Sequence, residues 1–312
     1  MMRIPEHLCQ TIKSVHGEKG EQWLAEFDQL LLDCEEKWGM TVELPSPFVL
    51  SFNFVAPAML RDGTAAVLKL GVPCREFRTE LAALRLYDGR GAVRVLAADE
   101  ERGALLIERV EPGLMLAESE LGDDDRTLAA AEVMRRIAVP APDGGEFPSV
   151  ADWAAGFARL RQRHGGGTGP LPERVVGRAE EMFRRLLEEG GGPLLLLHGD
   201  LHHGNILSSG HGGPGWLAID PKGVVGEAEY GTIPLLLNQL PPKGQREVIQ
   251  RRVELLCGAL GLDHARVLAW GFAHAVLSAA WCDEDGVGDI PAALEKAYWF
   301  EELLDELPHS AQ

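Results

Sequence analysis

Asp200, Asn205 and Asp220 have the types and spacing that suit chemistry. The first two stand in LLLLHGDLHHGN (194–205) and the third closes WLAID (216–220). Transfer of a phosphoryl group from a nucleotide needs such a set. One carboxylate accepts or orients the acceptor hydroxyl, while an amide oxygen and a second carboxylate hold a Mg2+ that bridges the phosphates. A lone D-x-x-x-x-N more often only caps a turn. HGD before it and AID after a hairpin favour the chemical reading, with the hairpin bringing Asn205 and Asp220 toward one ion. The histidines offer an alternative: His198, Asp200, His202 and His203 as zinc ligands of a hydrolase. That alternative leaves Lys69 and Asp220 without a purpose.

Lys69 ends AVLK and alternates with Val67, so both project from one strand face, an unusual place for a solvated Lys. A Lys there reaches α- and β-phosphates if an acid on the following helix holds it. Glu76 and Glu80 are both available, four apart on one face. Glu80, just before the apolar LAAL, is favoured. The loop that would cover the phosphates has no glycine before Gly63. Asn53 is the polar side chain near the expected bend, either a phosphate-side donor or a simple turn residue.

These residues need elements to position them. Trp23, Phe27, Leu30, Leu31, Cys34 and Trp38 form one apolar stripe, which predicts a helix over 18–39 stopped by Gly39. Strands are expected over 46–60 and 65–70, joined at RDGT (61–64) by an Asp-Gly turn. A helix over 74–87 and strands at 91–100 and 103–110 follow. EPGL (111–114) breaks the pattern and reads as a hinge. Helices are expected at 123–138, 149–164, 173–189 and through most of 230–307. Between them lie a buried strand before Asp200 and a hairpin of 206–209 with 216–220 around a Gly-rich turn. The layout is α+β: a small N-terminal β-sheet lobe (1–110), then a larger helical C-terminal lobe (111–312) carrying the catalytic loop and an acceptor site.

The whole chain bounds the reading. It has 312 residues and a net charge of −18, which opposes nucleic acid and anionic membranes and either favours a cationic small molecule or serves solubility alone. No apolar run of about 18 residues exists to span a membrane, and the polar start does not read as a signal peptide. Five scattered cysteines without a C-x-x-C pair suggest reduced thiols in a cytoplasmic protein, a monomer or weak dimer.

HGDLHHGNIL, WLAIDPKG, FNFVAPAMLRDGTAAVLKLGVP and GALLIERVEPG resemble the aminoglycoside phosphotransferases of the protein-kinase-like superfamily. They are most similar to the aminoglycoside/hydroxyurea, streptomycin 6-kinase-like branch. The resemblance covers roughly 20–300 and implies the two-lobed protein-kinase-like fold and an ATP- and Mg2+-dependent kinase of a small-molecule hydroxyl. It implies that Asp200 is the catalytic base, that Asn205 and Asp220 ligate Mg2+, and that Lys69 and Glu80 form the phosphate-binding pair. It further implies that backbone of the 108–112 segment, at Glu108 and Val110, bonds adenine, and that a buried His198 orders the loop. The family commonly has an Asp after the Tyr of the next segment. Here Gly231 follows Tyr230, so the brace is either absent or replaced by Glu227 or Glu229.

In such kinases acids of the helical lobe receive cationic acceptors. SAAWCDEDGVGD (278–289), read as following a helix, presents Trp281, Asp283, Glu284 and Asp285. Trp281, Glu284 and Asp285 are the acceptor-side candidates, with Trp281 able to make a cation–π contact. Asp283 reads more simply as a solvated acid and Trp153 as core. Besides the zinc hydrolase, the competing readings are a kinase of a non-antibiotic metabolite and a non-catalytic nucleotide-binding protein on the same fold.

Overall fold

The computed structural model describes residues 4–210 and 215–307. Most of the Gly-rich turn expected within the later hairpin lies outside those residues. The chain begins with α1 (Glu6–His16) and α2 (Glu18–Trp38). Helix α1 is not expected from the sequence, because it offers only Leu8 and Ile12 as a buried pair. Helix α2 buries Trp23, Phe27, Leu30, Leu31 and Cys34, the expected stripe. It stops at Gly39, whose φ of 59° lets its N–H return to Glu35 and Glu36. The two helices approach so closely that a Cβ on Gly20 would lie 2.5 Å from the Ile12 carbonyl oxygen.

Next come β1 (Met40–Val42), β2 (Phe54–Leu60), β3 (Ala65–Leu70), α3 (Arg75–Tyr87), β4 (Val95–Asp99), β5 (Ala104–Glu108) and β6 (Pro112–Met115). Strand β2 starts at Phe54, later than expected. Pro45 and Pro47 each lack an N–H, and the segment between β1 and β2 runs without ladder pairing. The chain continues through α4 (Asp123–Ile137), β7 (Val139–Pro140), α5 (Val150–Arg163), α6 (Glu173–Glu189), β8 (Leu195–Leu197), β9 (Ile206–Ser209), β10 (Trp216–Ala218) and β11 (Val224–Gly226). It ends with α7 (Ala228–Gly231), α8 (Ile233–Leu237), α9 (Gln245–Leu260), α10 (His264–Asp285) and α11 (Ile290–Asp305).

Two compact units result. One comprises the residues up to Leu114 together with Leu207–Lys222, the other Met115–Ile206 together with the residues from Gly223 onward. The hairpin expected inside the helical lobe therefore groups with the sheet-bearing unit. EPGL is not simply a break, because β6 joins β9 and β10 in a three-stranded sheet. The Leu114 N–H donates to Ser208 Oγ at 2.9 Å and the Gly210 N–H to the Glu111 carbonyl at 2.7 Å.

The first unit's main sheet has the order β1-β2-β3-β5-β4. The period of two along β3 sorts its residues. Ala66, Leu68 and Leu70 enter the core with Phe27, Leu31 and Phe54. Lys69, between them, faces the other way, toward α3. In the second unit β8 lies between β7 and β11. Helix α10, with Trp270, Phe272 and Val276 buried, is the central helix, packed by α5, α6 and α11. Ser149 starts α5 with a capping box to Asp152.

Candidate active site

In the first unit, Lys69 is 5% exposed and its Nζ lies 2.6 Å from Glu80 Oε1 and 3.2 Å from Asp220 Oδ1. Strand β3 aims the lysine, α3 supplies Glu80, and the loop after β10 supplies Asp220. Of the two acids on α3, Glu80 is the one that meets Lys69, while Glu76 is exposed. Burial alone would lower the Lys69 ammonium, but Glu80 and Asp220 outweigh it and hold it above the ordinary lysine range. Asp220 has φ 57°, in the left-handed region that non-glycine residues seldom adopt. Such a conformation persists where the surroundings enforce it, commonly at functional sites.

Asn53 ends the segment before β2. Its Oδ1 sits over Gly71, where a Cβ would come within 2.2 Å, so a side chain at 71 would displace the Asn53 amide. The Glu108 N–H donates to the Arg94 carbonyl at 2.9 Å, and its carboxylate accepts from the Arg94 backbone N–H and guanidinium. Glu108 thus has a sheet-edge task of its own. Val110 lies just past β5, half-buried, with its carbonyl facing Gly113.

In the second unit, β8 ends in the loop that carries Asp200. His198 is 3% exposed; its Nδ1 accepts the Asp200 N–H at 3.3 Å and its carbonyl accepts the Gly223 N–H at 3.2 Å. Asn205 Nδ2 donates to the Asp200 carbonyl at 2.9 Å. That bond commits the amide nitrogen and leaves Oδ1 as the oxygen a hard cation would take. His202 Nδ1 accepts the Gly204 N–H at 3.0 Å and caps the short turn His203–Asn205.

The zinc alternative loses its footing here, because the His198 and His202 Nδ1 atoms hold backbone N–H groups. Among the described residues no group of three or more His, Cys, Asp or Glu is arranged to hold a metal ion.

His203, a ligand only in the zinc alternative, is fully buried. Its Nδ1 meets Asn238 Oδ1 at 3.2 Å. Burial, then the Arg252 guanidinium, push its imidazole down to about 4. Arg252 is 0% exposed and binds Asp123 through Nε at 3.0 Å and Nη2 at 2.6 Å. Its Nη1 donates to the carbonyls of Leu235 at 2.9 Å and Asn238 at 2.6 Å. One sequence signal was available for this cluster: Ile249, Arg252, Val253 and Leu256 form the buried stripe of α9, so an arginine occupies a core position.

Neither expected replacement for the missing brace serves that purpose through its observed contacts. The Glu227 carboxylate accepts from Arg266 Nε at 2.6 Å and Nη2 at 2.7 Å, from Trp270 Nε1 at 3.0 Å and from the Gly191 N–H at 2.7 Å. Glu229 Oε1 accepts the Asp263 N–H at 3.4 Å. Both acids anchor the start of α10. At Gly231 a Cβ would lie 3.2 Å from Leu197 Cδ2, so the missing side chain lets α7 press on β8.

The acceptor-side residues are placed differently from expectation. Helix α10 continues to Asp285, so Trp281–Asp285 form its last turn and do not form a loop after it. The Glu284 carboxylate binds Arg159 of α5 at 2.6 and 3.0 Å. Asp283 Oδ2 meets His164 Nε2 at 2.8 Å. The acids sit at the negative end of the helix dipole, and the basic end of α5 offsets them. Asp285 is exposed. Trp281 packs edge-on against Trp153 at 5.8 Å and His274 at 5.7 Å. The Tyr230 hydroxyl, whose pKa burial holds well above the ordinary tyrosine range, meets His274 Nδ1 at 2.7 Å.

A family model described as aminoglycoside/hydroxyurea antibiotic resistance kinase matches residues 43–286. The chain is similar to a streptomycin 6-kinase of Streptomyces glaucescens, 32% identical over 95% of this chain and 96% of that protein. It is also similar to a hydroxyurea phosphotransferase of Kitasatospora aureofaciens, 33% identical over 93% of this chain and 83% of that protein. In fold it is similar to an aminoglycoside phosphotransferase, APH(4)-Ia, solved in a ternary complex with ADP and hygromycin B. That likeness has a TM-score of 0.61 at 16% identity and covers 91% of this chain and 100% of the other.

Proposed function

The chain belongs to the aminoglycoside/hydroxyurea antibiotic resistance kinases, and on that premise we propose that it transfers the γ-phosphoryl group of Mg2+-bound ATP to a hydroxyl of a streptomycin-like aminoglycoside. The protein is a phosphotransferase on a protein-kinase-like α+β fold that uses ATP and a small-molecule acceptor. The observation that carries the nucleotide half is Lys69 held between Glu80 and Asp220. A buried ammonium already fixed in place stabilises phosphate charge without reorganising during the reaction.

In this reading Lys69 contacts the donor phosphates and Glu80 holds it. Asn53 lies on the phosphate side and backbone at Glu108 and Val110 on the adenine side. Asp200 orients the acceptor hydroxyl for in-line attack and takes its proton. Asn205 Oδ1 and an Asp220 oxygen would hold Mg2+. Hard oxygen donors of this kind suit that ion, which would neutralise charge on the phosphates. Asp285 and Trp281 face the cationic acceptor, with Glu284 reaching it only by giving up Arg159.

The chain's net charge of −18 favours a cationic acceptor and disfavours nucleic acid. No helix among the described residues is long and apolar enough to cross a membrane. The hydroxyurea relative gives a second acceptor to test. The decisive experiment incubates the protein with Mg-ATP and streptomycin or hydroxyurea and follows ADP release and product mass. Streptomycin is expected to gain one phosphoryl group. Phosphorylation of hydroxyurea alone would overturn the acceptor assignment, and full activity of Asp200→Ala would overturn the assigned base.

A further inference from the structure

The chain of contacts behind the Asp200 loop goes beyond the assigned residues. His203 lies between Asp200 and Asn205 in sequence, yet its ring points away from solvent and meets Asn238. Asn238 is itself fixed. Its carbonyl accepts from Arg252 at 2.6 Å, and the next residue, Gln239, is held at φ 54° with its carbonyl 3.3 Å from the same guanidinium. A left-handed glutamine and a fully buried arginine are both unfavourable alone. Here the guanidinium meets the Gln239 carbonyl, and Asp123 neutralises the arginine. The result is a rigid socket, built from α4, α8 and α9, with one acceptor oxygen presented to the histidine.

We propose that His203 is a positioning residue, whose Nδ1–H···Oδ1 bond to Asn238 fixes the turn that aims Asn205. The inference rests on the reading of Asp200 and Asn205 as catalytic and metal-binding. Three observations carry it. His203 opens the short His203–Asn205 turn, so rotation of its backbone moves Asn205 directly. Asn205 in turn donates to the Asp200 carbonyl, so the base and the amide ligand shift together. The other ring nitrogen, His203 Nε2, is buried with no hydrogen-bond partner among the described residues. The ring is therefore held through Nδ1, and the neighbouring His202 uses its own Nδ1 for an unrelated cap.

This asymmetry gives a discriminating test. An asparagine amide nitrogen occupies nearly the place of histidine Nδ1, whereas a glutamine amide nitrogen occupies nearly that of Nε2. His203→Asn, His203→Gln, His203→Leu, Asn238→Leu and the double variant His203→Leu/Asn238→Leu are compared as full-length proteins. Thermal unfolding is measured beside kcat, KM for ATP and the Mg2+ concentration for half-maximal rate. Mg2+ binding in the presence of a non-hydrolysable ATP analogue is measured separately by calorimetry.

His203→Leu and His203→Gln are expected to lose about 10–100-fold in kcat or Mg2+ affinity, the usual effect of releasing a ligand-orienting contact. His203→Asn should recover most of the loss. The double variant should be no worse than either Leu single variant, because one contact is lost in all three. Equal impairment of folded His203→Asn and His203→Gln would overturn the proposal, as would wild-type kcat and Mg2+ dependence in His203→Leu. Asp200→Ala is run in parallel: if it stays active, the underlying catalytic reading fails, independently of the His203 series.

Discussion

Glu80 Oε1 lies 2.6 Å from Lys69 Nζ, and both side chains are nearly withdrawn from water. An ion pair in that setting depends on both partners. Removing one leaves an uncompensated buried charge, a loss of about 3–5 kcal/mol. Lys69→Met should therefore lower stability as well as activity, while Lys69→Met/Glu80→Leu should regain stability and stay inactive. Urea unfolding and steady-state kinetics on the three proteins check this. Loss of activity without loss of stability in Lys69→Met would show that the pair serves phosphate binding and not folding.

On the proposed reading, the Asp200 loop serves the chemistry and not nucleotide binding. Asp200→Asn keeps the backbone bonds to His198 and Asn205, because the N–H and C=O that make them are unchanged. Turnover should fall by about 10²–10⁴-fold, the range for a lost general base. Affinity for a non-hydrolysable ATP analogue, measured by calorimetry, should hold.

Glu227 provides a pH-dependent test of stability. Burial would raise its carboxyl, but Arg266, the Trp270 N–H and the Gly191 N–H outweigh it and hold it below the ordinary value of 4.5. A carboxyl depressed on folding contributes stability above its unfolded pKa and loses it as pH falls through the folded pKa. Glu227→Gln should therefore be less stable than wild type by about 3 kcal/mol at pH 7, because Arg266 loses its buried carboxylate partner. The gap should narrow as pH drops below about 4.5. Thermal unfolding across roughly pH 3–8, a span that brackets the ordinary carboxyl value, checks it. A gap independent of pH would assign the loss to packing.

On the acceptor side, the Arg159–Glu284 pair is half-exposed and worth about 0.2–1 kcal/mol. Glu284→Gln should leave stability and the acceptor KM nearly unchanged. Asp285→Asn should raise KM for a cationic acceptor by up to about tenfold, or ~1.4 kcal/mol. Kinetics with saturating Mg-ATP compare the two, and the reverse order would return Glu284 to the acceptor.

Much of this was legible in the sequence. The stripe of α2, the Asp-Gly turn before β3 and the spacing of Asp200, Asn205 and Asp220 are local patterns, and local patterns survive in a linear text. The choice of Glu80 over Glu76 was legible too, through its place before the buried turn of α3. Helix α1 was hidden because a short stripe of Leu8 and Ile12 has no periodicity to detect. The grouping of the 207–222 hairpin with the sheet-bearing unit was hidden because strand pairing between β6 and β9 is non-local. Glu284 misled for a related reason. Its partner Arg159 is 125 residues away, and nothing near an exposed-looking acid announces a distant cation.

Arg252 has a kinetic consequence as well. Its guanidinium collects carbonyls from the end of α8 and the carboxylate at the start of α4 while riding on α9. Withdrawing α4 alone would leave the buried guanidinium without its carboxylate, and withdrawing α8 alone would take away carbonyls that it donates to. Amide hydrogens of α8 and the adjoining turns of α4 and α9 should exchange with solvent in concert, as one cooperative block. Through His203 and Asn238 the loop carrying Asp200 is moored to that block.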